Sequence, residues 1–178
     1  IECATAFALD EVRLMPCHPV HRGMPMASAS DRLAMLGMAV RGCPKLTVEN
    51  YELQQPHPTY SIDTLRHMRR VMGDRLPLYF IIGTDAMNAI DTWKEWESLF
   101  GLVNFIVMHR PGYTCQFPHA VVRERLGRFD GCHQPSGAVY TLEITALGIS
   151  STLIRQLVSA GKPLDFLLPP EVEAYIHE

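Results

Sequence analysis

No apolar run in this 178-residue chain approaches the ~20 residues that a membrane-spanning helix needs. The longest obvious one, residues 78–82, suits a buried strand, and no membrane partner is expected. A basic surplus is also missing. Sixteen Lys and Arg stand against nineteen Asp and Glu, a formal net charge of −3, whereas nucleic-acid binders usually carry a positive excess. The cysteines are five, an odd number: Cys3, Cys17, Cys43, Cys115 and Cys132. They are widely spaced with no C-x-x-C, so a disulfide framework is not expected and a reducing, cytoplasmic compartment fits better. One H-x-x-H, from His18 to His21 beside Cys17, has no second cluster to complete the about four ligands that zinc takes. It reads as loop, and no metal ligand is assigned. Nothing reads as a signal peptide, a repeat, a low-complexity tract or an internal linker, and no pair of carboxylates is set up for acid–base chemistry.

What is present is ordinary for a folded domain: 47% hydrophobic and 20% charged residues, in a length that fits one domain over residues 1–178. Strand and helix patterns alternate, which predicts an α/β fold with a mainly parallel sheet. Residues 1–10 read as the back half of a helix and 11–15 as a strand. A proline-rich loop follows, then a helix over 31–41 capped by Ser30 and ended by Gly42. Residues 46–49 form a short strand. Ser61 caps the next helix, where Leu65, Met68 and Met72 share a face before Gly73. The apolar run 78–82 is expected to be the central parallel strand. Residues 85–100 are expected to be helical in two pieces broken near Thr92, and 103–108 to be a second buried strand. A helix over 118–129 is expected to show a basic exposed side of Arg123, Arg125 and Arg128. The pattern closes with a strand over 139–144 and helices over 151–160 and 170–176.

The stretch 147–155 carries most chemical information. Ser150, Ser151 and Thr152 stand where a helix begins, and Arg155 lies one turn inside. Ser150 can accept from the first helical amides as N-cap. Such an end carries free N–H groups and roughly half a positive charge, which favours anions. Arg155, four residues after Ser151, adds a planar fork that matches phosphate oxygens. An ordinary capped helix with a solvated arginine is the plainer reading of the same residues.

Other candidates also have two readings. Gly83, at the carboxyl end of the expected central strand, would let a ligand approach the backbone, and Asp85 could accept from ribose hydroxyls. Equally, Asp85 could be an aspartate stabilised by a helix dipole. Trp93 offers a π-face for stacking, or simple core packing, since Trp93, Trp96 and Phe100 fall near one helical face. His21 could be an exposed loop histidine. Arg110 is a cation at a strand end that could meet phosphates or brace its loop.

Taken in order, these pieces resemble the bacterial nicotinate-nucleotide adenylyltransferase family. The matching residues are Arg13-Leu14-Met15-Pro16, Pro19-Val20-His21-Arg22, 31–36, Thr59-Tyr60-Ser61-Ile62-Asp63-Thr64-Leu65, Ile81-Ile82-Gly83-Thr84-Asp85, Thr92-Trp93, His109-Arg110-Pro111-Gly112-Tyr113, 147–155 and Leu167-Leu168-Pro169. The resemblance implies a Rossmann-like nucleotidyltransferase fold with helices on both faces of the sheet. It implies transfer of the adenylyl group of ATP to nicotinate mononucleotide, with Mg²⁺ carried by the ATP. It also implies roles. Arg155 and His21 act on the phosphates, and Arg22, Gly83, Asp85, Ile149, Ser150, Ser151 and Thr152 lie on the ATP side. Ser61, Trp93, Lys94 and Arg110 lie on the nicotinate-nucleotide side. The family's P-P-H-[KR] loop stands here as Pro19-Val20-His21-Arg22.

One departure matters. The family opens with a strand and a turn of the form G-G-x-F-x-P-x-H-x-G-H, and no H-x-G-H occurs in this sequence. The expectation is therefore an N-terminally incomplete domain, short by roughly 20 residues, and inactive without that segment. The alternatives are a nucleotide-binding domain without catalysis, or an adenylyltransferase for another acceptor such as nicotinamide mononucleotide or phosphopantetheine. Ser61 and Trp93 at the pyridine position argue against phosphopantetheine. Whether the chain forms a homo-oligomer is open.

Overall fold

The computed structural model describes residues 1–17, 27–112 and 115–177. Its elements, in chain order, are α1 (Glu2–Ala6), β1 (Val12–Leu14), α2 (Ala29–Ala39), β2 (Leu46–Val48), α3 (Ser61–Met72), β3 (Tyr79–Gly83), α4 (Thr84–Asn88), α5 (Trp96–Leu99), β4 (Asn104–His109), α6 (Ala120–Arg123), β5 (Val139–Glu143), α7 (Ser151–Ser159) and α8 (Pro170–His177). Short 3₁₀ turns occupy Tyr51–Gln54 and Ile90–Thr92. The chain forms two compact units, one of Ile1–Asp10 with His57–Ala146 and the other of Glu11–Pro56 with Leu147–Glu178. Every strand pairing between named strands is parallel, as the alternating pattern implies.

In the first unit β3, β4 and β5 pair in that order, with Gly83 opposite Met108 and His109 opposite Glu143. The middle strand of this sheet is β4, not the run ending at Ile82 that the sequence pattern put there. Both runs are apolar, so composition cannot rank them; burial does. Phe105, Ile106 and Val107 are fully buried, whereas β3 is mostly half-buried. Around β4 pack Ile62 of α3, Met87 of α4, and Ile90, Leu99, Val103, Val122 and Val139.

Two buried polar side chains tie loops to this core. Asn104 donates from Nδ2 to Gln134 O at 2.7 Å and accepts from Ala138 N at 3.0 Å, which sets the entry to β5. Arg69, near the end of α3, donates from Nη1 to Gly73 O (3.1 Å) and Leu76 O (2.6 Å) and from Nη2 to Pro135 O (2.9 Å). Its Nε and Nη2 both donate to Leu102 O.

The second unit pairs β1 with β2 and places α2 beside α8. Its α2 is capped by Ser28, not Ser30. Ser28 Oγ accepts from Asp31 N at 3.1 Å, and the Asp31 carboxylate accepts from Ser28 N at 3.2 Å. This reciprocal box needs an acid three residues after the cap. Ser28 has Asp31 there, and Ser30 has Leu33.

Three more expectations change. Ser61 is the first helical residue of α3, because Tyr60 O already accepts from Asp63 N and Thr64 N. The segment 84–100 is three short pieces, so Trp93, Trp96 and Phe100 do not share one helix face. The expected helix over 118–129 shrinks to α6, because Gly127 N donates to Val139 O and Val139 N donates to Arg125 O. The backbone leaves the helix to bridge β5. Of the expected basic side, Arg123 and Arg128 are exposed and Arg125 is half-buried; Arg123 donates to Phe117 O and Pro118 O, and Arg125 donates to Val121 O and stacks over Phe100.

Candidate active site

Parallel strands end together, and the loops beyond their carboxyl ends are where open α/β sheets bind ligands. Gly83 is the last residue of β3, and α4 starts at once with Thr84. Thr84 is buried and donates from Oγ1 to Met108 O at 3.1 Å, which locks this turn to the end of β4. The lock leaves Gly83 and Asp85 exposed beside the strand ends. Nothing lies within 4 Å of where a Cβ on Gly83 would sit, so the backbone is open to close approach. Arg110, also exposed, directly follows β4. Gly83, Asp85 and Arg110 thus share the carboxyl edge of this sheet.

A second group forms around the start of α3. The first amides of a helix have no carbonyl one turn earlier within it, and no side chain caps this end. Lys94 reaches it from the segment between the 3₁₀ turn and α5. Its Nζ lies 3.3 Å from Asp63 Oδ2 and 4.8 Å from the centre of the Tyr60 ring. The Arg66 fork meets the Glu95 carboxylate at 3.2 and 2.6 Å. That fork holds the Glu95 carboxyl below the usual carboxylate range. Lys94 and Glu95 are therefore tied to the first turns of the helix that Ser61 begins.

Trp93 is half core and half surface. It meets Phe80 edge-on at 5.9 Å between ring centres and packs against the buried cluster. Trp96 is also half-buried, against Phe100 and His119. Lys94 is charge-balanced by Asp63, not a lone cation. The sequence pattern singled out neither Tyr60, Arg66 nor Glu95. A signal for the pairing existed: Asp63 and Arg66 stand three apart on a helix, and Lys94-Glu95 present the opposite charges in the matching order.

In the second unit, Ser150 caps α7 as its sequence suggests, with Oγ accepting from Leu153 N at 3.1 Å. Residues 147–152, including Ile149, Ser151 and Thr152, are exposed. Thr152, Arg155, Gln156 and Ser159, at helical spacing, line an open depression on one face of α7. Arg155 is exposed within it. His21, Arg22 and Tyr113 lie outside the described residues. Among the described residues no group of three or more His, Cys, Asp or Glu is placed to hold a metal ion, and no helix is long and apolar enough to cross a membrane.

The first unit thus presents an exposed glycine turn at the carboxyl edge of a parallel sheet, and the second presents a Ser150-capped helix with the exposed Arg155 one turn inside. Residues 2–157 match the cytidylyltransferase-like family model, and the chain belongs to that family. It is 38% identical to a protein of Pseudomonas syringae pv. tomato named as a probable nicotinate-nucleotide adenylyltransferase, over 99% of this chain and 82% of that one. Proteins of the same name from Chromobacterium violaceum (39%, covering 97% and 84%) and Pseudomonas aeruginosa (38%, covering 99% and 85%) are similarly close. At this identity and coverage the chain falls, within its family, among the nicotinate-nucleotide adenylyltransferases. Its fold is also that of Plasmodium falciparum nicotinic acid mononucleotide adenylyltransferase, solved in complex with APC and with NaAD. The TM-score is 0.68 in each case at 17% identity, over 95% of this chain and 80% of the other.

Proposed function

We propose that this protein transfers the adenylyl group of ATP to nicotinate mononucleotide, giving nicotinate adenine dinucleotide and pyrophosphate, a step of NAD biosynthesis carried out in the cytoplasm. The observation that supports the acceptor's identity is that Lys94, which directly follows the half-buried Trp93, meets Asp63 and the Tyr60 ring at the uncapped start of α3, where Ser61 is the first helical residue. A pyridine carboxylate needs N–H donors and a ring needs a flat partner, and this group offers both. In this reading residues 1–178 belong to one nucleotidyltransferase domain.

An oxygen of the mononucleotide phosphate attacks the α-phosphorus of ATP in line. The new P–O bond forms as the bond to the β-phosphate bridging oxygen breaks, and pyrophosphate leaves. The protein contributes no nucleophile; it positions two substrates and neutralises charge. In this reading the amides at the start of α7, with Ser150, Ser151, Thr152 and Arg155, meet the triphosphate. His21 and Arg22 serve the same phosphates, and Arg155 and His21 are the catalytic pair. Ile149, Gly83 and Asp85 hold the nucleotide, and Arg110 lies toward the mononucleotide. ATP arrives with a divalent cation on its phosphates, taken here as Mg²⁺ and treated as part of that substrate.

The test offers nicotinate and nicotinamide mononucleotides together, with MgATP, to the protein expressed from its complete coding sequence, and separates the two dinucleotides. A buried donor deprived of its acceptor costs ~1–3 kcal/mol, so the nicotinate product should lead by about tenfold or more. Equal or greater yield of the nicotinamide product overturns the pocket. No dinucleotide from either acceptor overturns the activity and leaves a nucleotide-binding domain without catalysis.

A further inference from the structure

We infer that Arg66 and Glu95 are positioning residues for the pyridine half of the site, holding the backbone at Trp93-Lys94-Glu95 in one shape and one register against the first turns of α3. The inference rests on the function proposed above for the substrate it concerns.

Glu95 has φ 51° and ψ 39°, the left-handed region that residues other than glycine enter only against steric resistance. It stands where the extended backbone of Trp93 turns into α5. Nothing in its own side chain favours that conformation; Asn or Asp would do so by local hydrogen bonding, and Glu does not. What holds it is the Arg66 fork, bidentate to both carboxylate oxygens.

The second pair makes the arrangement directional. On α3 the order is acid then base, Asp63 then Arg66, three residues apart and so on one face. On the loop the order is base then acid, Lys94 then Glu95, and each meets its opposite. Sliding the loop along the helix face would set Lys94 against Arg66, like against like. The crossed pairs therefore fix register as well as shape. Ser61 is two residues from Asp63 and Trp93 is next to Lys94, so the register fixes how the hydroxyl and the indole stand to one another. All four side chains are well exposed, and exposed pairs add little to folding stability. Their loss should therefore be read in substrate binding.

The experiment compares the full-length protein with Arg66→Gln, Glu95→Gln, the double variant of these two, Glu95→Ala, and Arg66→Gln combined with Glu95→Gly. Arg66→Gln is expected to raise KM for nicotinate mononucleotide by about five- to tenfold, that is about 1–1.4 kcal/mol, with kcat, KM for ATP and Tm nearly unchanged. The double glutamine variant should be no worse than either single one, as for two halves of one interaction. Glycine enters the left-handed region freely, so Glu95→Gly should bring KM of the Arg66→Gln protein back toward wild type, while Glu95→Ala should behave like Arg66→Gln. Wild-type KM in Arg66→Gln and Glu95→Gln overturns the inference, as does a rise in both KM values together or a glycine variant no better than alanine. A full-length wild type that makes no dinucleotide overturns the proposed function instead.

Discussion

Replacing Arg69 by methionine keeps the apolar stem and removes the buried fork. Arg69 is only 7% exposed, and its guanidinium serves the carbonyls of Leu102, Gly73, Leu76 and Pro135. Each charge-assisted bond is worth ~1.5–3 kcal/mol, so the gross loss over four carbonyls is roughly 6–12 kcal/mol. Against this stands desolvation. Burial pulls the Arg69 pKa below its ordinary value, the sign that the charged form is disfavoured there, and methionine recovers that cost. Water can also reach some carbonyls, because all four lie in loops or turns and Gly73, Leu76 and Pro135 are exposed. The net loss is expected near ~3–5 kcal/mol, the range for removing one partner from a buried charged network. For a chain of this length that lowers Tm by roughly 6–20 °C, at about 2–4 °C per kcal/mol. Arg69→Lys should recover little, since one ammonium cannot span four carbonyls in the plane of a fork. The assay is urea and thermal unfolding followed by circular dichroism on wild type and both variants. A loss under about 1 kcal/mol in Arg69→Met, or near-complete recovery in Arg69→Lys, would refute the reasoning.

Three further outcomes are expected. Arg155→Ala should lower kcat/KM for ATP by about tenfold or more through loss of a charge-assisted bond to the triphosphate; unchanged ATP kinetics would remove Arg155 from the site. Trp93→Ala should raise KM for the mononucleotide and leave ATP binding nearly intact; the opposite pattern would make the indole a packing residue alone. The Asp31 carboxyl is held below its ordinary 3.8 by hydrogen bonds from Ser28 first and Tyr175 second. A lowered carboxylate pKa stabilises the fold above 3.8 and loses that effect as pH falls through the folded value. Unfolding curves of wild type and Asp31→Asn should therefore differ at pH 7 and converge as pH falls through the lowered folded value, and a difference that stays constant down into acid would refute the assignment.

The sequence by itself determined the class of fold and the list of chemical groups. Alternating apolar runs and capped helices are local patterns, and the Ser150 cap, the glycine at the end of β3 and the order of motifs are local too. Caps depend on residues three apart, which is why Ser150 was legible and why Ser28 with Asp31 could have been. Tertiary structure decided what periodicity cannot carry. Two apolar runs look alike until burial makes β4 the middle strand of its sheet. A helix pattern over 118–129 yields at Gly127 because a distant strand offers its backbone groups better partners. Arg123 and Arg125 read as surface charges, yet Arg123 donates to loop carbonyls and Arg125 to Val121 O of α6. Ser61 and Trp93 could be named as candidates one at a time, but not the meeting of Arg66 with Glu95, residues 29 positions apart. Side chains far apart in the chain meet only when the backbone has closed around them, and no local propensity encodes which partner each charge will find.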